Sequence, residues 1–114
     1  MLMHELAIIG NVVDAVTDRV GDAKVLRVQV EIGKLSGVVP AALRFCFDVS
    51  TAGTTLAGAK LEIIEVPGHA RCMQCDADVE LQDQIALCTC GSANLALQTG
   101  QEFKIKEVVI ASNG

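Results

Sequence analysis

Four cysteines fall within nineteen residues, as Cys72-Met-Gln-Cys75, twelve residues, then Cys88-Thr-Cys90. A segment this short that must bring four thiols to one point has few ways to turn. Paired thiolates from two tight turns can surround one tetrahedral Zn2+ at about 2.3 Å per Zn–S bond, and filling all four positions makes such a site structural rather than catalytic. Cys88-Thr-Cys90 is tighter than the usual two-residue spacer, and Gly91 just beyond it supplies backbone freedom. His69, three residues before Cys72, is a reserve ligand, with a solvent-exposed hinge residue as its other reading. A thiol redox role for Cys72 and Cys75 needs a strand–helix junction in a βαβ setting, and the surrounding pattern has none.

At 114 residues the chain is one globular unit or a small core with an appended module. Its 51% hydrophobic and 20% charged residues exclude disorder, and three aromatics, all Phe, require an aliphatic core. A net charge of −5 argues against nucleic acid or an anionic membrane surface as a partner. The N-terminal Met-Leu-Met-His-Glu-Leu lacks a basic region, and Asn11 and Asp14 interrupt the apolar stretch after it. Neither a signal peptide nor a membrane span is expected, so the expected location is the cytoplasm. There thiols stay reduced, which favours metal binding over disulfides. The fifth cysteine, Cys46, lies on an apolar helical face and reads as a buried packing residue.

Leu6, Ile9, Val13, Val16 and Val20 recur at helical spacing and predict an amphipathic helix ending near Gly21. Leu26, Val28, Val30 and Ile32 alternate with polar residues, which predicts a strand with one buried face, broken by Gly33 to Gly37. Pro40 suits the first turn of a second helix whose stripe runs Val39, Leu43, Cys46, Phe47 and Ser50, with Gly53 and Gly58 after it. Residues 61–66 and 103–110 read as two further strands. A ribbon of about thirty residues buries little by itself. The last strand is therefore expected to return and complete a sheet: an α+β fold, with a three-stranded sheet packed on two helices and an inserted zinc-ribbon-like domain. Residues 1–67 plus 101–114 form the first domain in this reading, and residues 68–100 the structural zinc-binding domain.

Near the chain start, Met3-His4-Glu5 offers a different ligand chemistry. Ni(II) accepts imidazole, amine and amide nitrogens in square-planar geometry, or six ligands when oxygens are added. With Met3 as the first residue, its amine, the amides of His4 and Glu5 and the His4 imidazole make a compact nitrogen site, and Glu5 can add an oxygen in the six-coordinate form. Hard N/O ligands at one end and soft thiolates in the insertion would sort two metals by ligand type.

Met-His-Glu-Leu leading into a helix, Val-Glu-Ile-Gly-Lys-Leu-Ser-Gly-Val-Val-Pro, Leu-Arg-Phe-Cys-Phe-Asp, the paired cysteines with Cys-Gly-Ser, and Ile-Lys-Glu-Val follow one another along nearly the whole chain. In that order they resemble the HypA/HybF family of hydrogenase nickel-maturation metallochaperones. The resemblance implies a nickel-binding α+β domain with an inserted zinc domain, in a non-enzymatic protein that delivers Ni2+ to the [NiFe]-hydrogenase large-subunit precursor. It further implies a nickel-loading maturation GTPase as partner, with a homodimer left open. By position, His4 and Glu5 match the nickel residues, and Cys72, Cys75, Cys88 and Cys90 the zinc cysteines. The family normally begins at Met-His-Glu and spaces its later cysteines by two residues, whereas here Met1-Leu2 precede and Thr89 alone intervenes. The alternative function is a zinc-ribbon protein–protein interaction module without nickel delivery. No nucleophile–base pair, phosphate-binding Gly loop or paired carboxylates at catalytic spacing are present, so no enzyme is expected.

Overall fold

The computed structural model describes residues 2–81 and 87–112, with side chains from residue 4 onward. The order of elements is α1 (Leu2–Val20), β1 (Val25–Gly33), α2 (Pro40–Thr51), β2 (Lys60–Val66), β3 (Gly68–Cys72), β4 (Asp78–Leu81), β5 (Leu95–Thr99) and β6 (Phe103–Ile110). Strands β2, β1 and β6 form one three-stranded sheet in that order, and β4, β3 and β5 a second. The last long strand thus returns to pair with the first, as expected. The chain divides into two compact units, one of Met1–Val30, Val38–Ile63 and Ile105–Gly114, the other of Glu31–Gly37 and Ile64–Lys104.

In the first unit the buried stripe of α1 is Glu5, Ile9, Val12 and Val16, at spacings of four, three and four. Ile9 and Val16 are buried as expected, whereas Leu6 is 44% exposed and Glu5, 1% exposed, takes the buried place beside it. A carboxylate carries no weight in an apolar pattern, so the sequence pattern settled on its neighbour. Gly21, at φ +59, ends the helix and donates its N–H to the Thr17 carbonyl. On β1 Val28, Val30 and Ile32 face inward as expected, joined by Val25 in place of Leu26, which is 49% exposed. Val25 donates its N–H to Thr55 O at 3.0 Å, outside the sheet ladder, and regular alternation starts only after it.

Helix α2 begins at Pro40, where the missing N–H costs nothing, and buries Leu43, Cys46, Phe47 and Thr51. The Thr51 hydroxyl donates back to the Phe47 carbonyl at 2.7 Å. Cys46 is 3% exposed, the packing role expected of it, whereas Val39 is 42% exposed and stands at the helix boundary. Helices α1 and α2 pack against each other. Among the described residues no helix is long and apolar enough to cross a membrane.

The second unit is built round β3, which pairs antiparallel with β4 from Gly68↔Leu81 to Arg71↔Asp78, and with β5 from His69↔Thr99 to Cys72↔Leu95. Its apolar cluster is small: Leu35, Ala70 and Leu81, with Val79 and Leu95 packed against it. Leu35 comes from the turn after β1, so the cysteine segment folds with Glu31–Gly37 and not alone. Two backbone bonds hold that turn, Lys34 N–H to Val66 O at 2.8 Å and Leu35 N–H to Gly100 O at 2.7 Å. The approach is close enough that a Cβ on Gly33 would lie 2.0 Å from the Gly100 carbonyl oxygen. Gly33 is therefore the last residue of the strand, required for backbone proximity, and the turn after it is closed by Ser36 N–H donating to the Gly33 carbonyl at 3.0 Å, with Gly37 at φ +80 beyond it.

Candidate metal centre

Strand β3 ends on Cys72, and the chain reverses through Met73, Gln74 and Cys75 into β4. Cys72 donates its N–H to Ala77 O and its carbonyl accepts from Asp76 N–H, both at 2.9 Å. Asp76 takes the left-handed conformation, φ 62, that closes such a turn. The second turn repeats the device with one residue fewer between its cysteines. Cys88 N–H donates to Ser92 O at 2.9 Å, Gly91 N–H to Cys88 O at 2.8 Å, and Gly91 sits at φ +92. Met73 N–H donates to Asn94 O at 2.9 Å and joins the two turns.

The sulfurs meet as a result. Cys72 Sγ lies 3.6 Å from Cys90 Sγ, Cys75 Sγ lies 3.5 Å from Cys88 Sγ, and all four are within 4.8 Å of one another. A tetrahedron of Zn–S bonds near 2.3 Å has edges of about 3.8 Å, so these four thiols already outline a cage for one such ion. The short Cys88-Thr-Cys90 spacing does not exclude Cys90, because the Gly91 turn swings its thiol back to Cys72. Cys72 and Cys88 are buried and Cys75 and Cys90 exposed, so the cage sits at the surface with its back to the module.

Electrostatics point the same way. N–H groups of Cys75 and Gln74, with hydrogen bonds from the neighbouring thiols, lower Cys72 to about 6 against the opposing effect of burial. For Cys75 the Ala77 N–H acts downward but is outweighed by Cys88, Cys72 and burial, which push it up to about 12. Cys88 is lowered, first by the Cys90 N–H, and Cys90 is raised by Cys88 and Cys72 despite the Ser92 N–H. Four thiols this close oppose one another's ionisation, and a cation among them would relieve that repulsion as protons leave. Among the described residues these four are the one group of Cys, His and acidic side chains placed to hold an ion. His69 is exposed on β3, opposite Glu80 and Thr99, and is not part of it.

At the other candidate site, His4 is exposed on the first turn of α1. The Glu5 carboxylate, expected as an available oxygen, is folded inward: Oε2 accepts the Val39 N–H at 2.9 Å. Its Oε1 is buried with no hydrogen-bond partner among the described residues. The Val39 bond holds Glu5 below its ordinary carboxylate value against the opposing effect of burial, with its own N–H and the nearby His4 and N-terminal charges helping. Motif and period do not reveal this role. A signal for it exists: α2 starts at Val39-Pro40, with no Ser, Thr, Asp or Asn to cap it and no acidic residue in its first turn. Met1, the alternative chain start, lies outside the described residues.

An α+β protein with a two-helix unit and a surface four-cysteine cage has the makings of a metal-site protein. Its sequence over residues 3–110 matches the HypA family, described as hydrogenase/urease nickel incorporation metallochaperones, and the chain belongs to that family. Metallochaperones carry a metal and transform no substrate, so this is not an enzyme. Among its relatives, the hydrogenase maturation factor HypA of Nostoc punctiforme is 53% identical over 108 residues, 95% of this chain and 96% of that one. The protein of the same name from Rhodobacter capsulatus is 40% identical over 112 residues, covering 95% and 99%. The fold is also that of the solution structure of the Ni metallochaperone HypA from Helicobacter pylori, at TM-score 0.62 and 18% identity, with 96% and 98% of the two chains covered.

Proposed function

We propose that the chain takes up Ni2+ at its Met3-His4-Glu5 segment and delivers it during [NiFe]-hydrogenase maturation, while Cys72, Cys75, Cys88 and Cys90 hold a structural Zn2+. The observation that carries this is the separation of ligand types within a member of this family. A soft, four-thiolate cage is complete in one unit, and an exposed imidazole stands at the start of the other unit. A cage with no open position retains its ion, whereas a terminal site with one imidazole can give its ion up.

In this reading His4 contributes its imidazole and Glu5 its backbone nitrogen, since the Glu5 carboxylate is engaged by Val39. Residues 68–100 serve as the zinc-binding part and the remainder as the nickel-binding part. The recipient is the hydrogenase large-subunit precursor, the co-worker a nickel-loading GTPase, and the setting the cytoplasm. Relatives named as hydrogenase maturation factors favour hydrogenase over urease as the destination.

The test is metal analysis with nickel titration on protein purified without a metal-binding tag, in versions starting at Met1 and at Met3, each with and without His4→Ala. One zinc in every version and one nickel lost with His4→Ala is the expected result. Nickel uptake indifferent to His4 would refute the site, and zinc with no nickel at all would leave the interaction module.

A further inference from the structure

Helix α2 lacks a cap of its own. Its N-cap residue is Val39, without a side-chain hydrogen bond, followed by Pro40 and by no acidic residue in the first turn. What it lacks is supplied from α1, where the buried carboxylate of Glu5 accepts the Val39 N–H and places a negative charge at the positive end of the helix. The residue that does this is the immediate neighbour of the exposed His4.

That adjacency has a mechanical consequence. In a helix successive N–H groups run nearly parallel to the axis, so the amides of His4 and Glu5 cannot converge on one ion while α1 keeps its first turn. Nickel bound through those nitrogens requires the turn to open at Glu5, and opening it carries the carboxylate away from Val39. A Glu5 oxygen on the metal would do the same, since Oε2 would have to leave Val39. We infer that Glu5 is a latch between the first turn of α1 and the start of α2, and that loading nickel beside His4 releases it. This rests on the proposed His4-centred site and adds what that site does to the fold. Empty protein has α2 capped from α1, and loaded protein has an uncapped α2 whose first turn frays.

The latch opposes loading, so its removal changes nickel affinity in the direction opposite to that of a lost ligand. An equilibrium that must open before binding weakens apparent affinity by the fraction of open chains. Glu5→Ala is therefore expected to bind nickel several-fold more tightly than the natural chain. Glu5→Gln, which keeps an oxygen for Val39 but is a poor nickel ligand, should stay close to the natural chain. Nickel held no more tightly by Glu5→Ala than by Glu5→Gln would overturn the latch.

The decisive measurement is amide hydrogen exchange by NMR on the full zinc-loaded chain, before and after one equivalent of Ni2+. Exchange at Val39 should accelerate at least roughly tenfold with nickel, by the worth of one charge-assisted hydrogen bond. Glu5→Ala should show the same acceleration without nickel and no more with it. Slow exchange at Val28 and Phe47 establishes that each variant is folded. Stoichiometric, His4-dependent nickel with Val39 still protected overturns the latch and leaves the nickel site standing. Failure of the site itself looks different: nickel changes nothing, Glu5→Ala still frees Val39, and the coupling falls with the site.

Discussion

Removing the metal from the four-cysteine cage should unfold one unit and spare the other. Among the described residues the apolar cluster around β3 is small: two buried leucines, Leu35 and Leu81, and Ala70, with Val79 and Leu95 packed against them. Burying two leucines contributes about 3–6 kcal/mol. A structural Zn2+ in an all-thiolate site contributes on the order of 10–16 kcal/mol, so the ion outweighs the leucines by a factor of roughly three. The first unit draws instead on Ile9, Val16, Val28, Val30, Leu43, Phe47 and Leu56, each at most 2% exposed, and needs no ion. The perturbation is a strong chelator under reducing conditions, followed by residue-level hydrogen exchange with zinc release monitored by a colorimetric dye. Protection at Ala70, Arg71 and Val79 should collapse as zinc leaves, while Val28, Val30 and Phe47 exchange slowly throughout. Protection retained in β3 and β4 after quantitative zinc release would show that backbone pairing carries the module. The same result would refute the structural role assigned to the cage.

Gly33→Ala should destabilise the chain by about 3 kcal/mol in denaturant unfolding, because the added Cβ meets backbone at 2.0 Å that no rotamer change can clear. A loss under about 1 kcal/mol would mean the turn gives way without cost. Cys46→Ser should lower stability by about 1–3 kcal/mol through a buried hydroxyl while leaving bound zinc unchanged, and any loss of metal would make Cys46 more than packing. For Glu5 the sign follows from the direction of its shift. A carboxylate depressed on folding stabilises above its ordinary value, 4.5 for this side chain, and that contribution drains away as pH falls through the depressed value. Thermal unfolding of the natural chain should therefore weaken more steeply below pH 4.5 than that of Glu5→Gln. Parallel curves would remove Glu5 from the acid response.

Much of this was legible because it is local. Helical and alternating periods placed α1, α2 and the long strands, and β6 came out at Phe103–Ile110 as expected. Two cysteine pairs at short spacing announced their cage, since turns that narrow leave the thiols nowhere else to go. What was hidden lies where one element depends on another. Leu35 belongs to the apolar cluster of the cysteine unit although it stands over thirty residues before Cys72. A turn sequence rich in glycine reports that the chain bends there, not whose core its one leucine enters.

Glu5 is the harder case and the more instructive one. A hydrophobic pattern scores a carboxylate as outward by default, so Leu6 takes its place at the head of the expected stripe, although Ile9 and Val16 further along are buried as expected. The compensating clue lay thirty-four residues away, in a helix start with neither cap nor acidic residue. The N–H of Val39 at that start has no side-chain partner within its own helix. An acidic residue on the neighbouring helix is then the natural supplier. The placement also makes physical sense of Glu5 following His4 directly. Position 4 faces water, where an ion can arrive and leave, and position 5, about 100° further round the helix, faces the neighbour that would register the arrival.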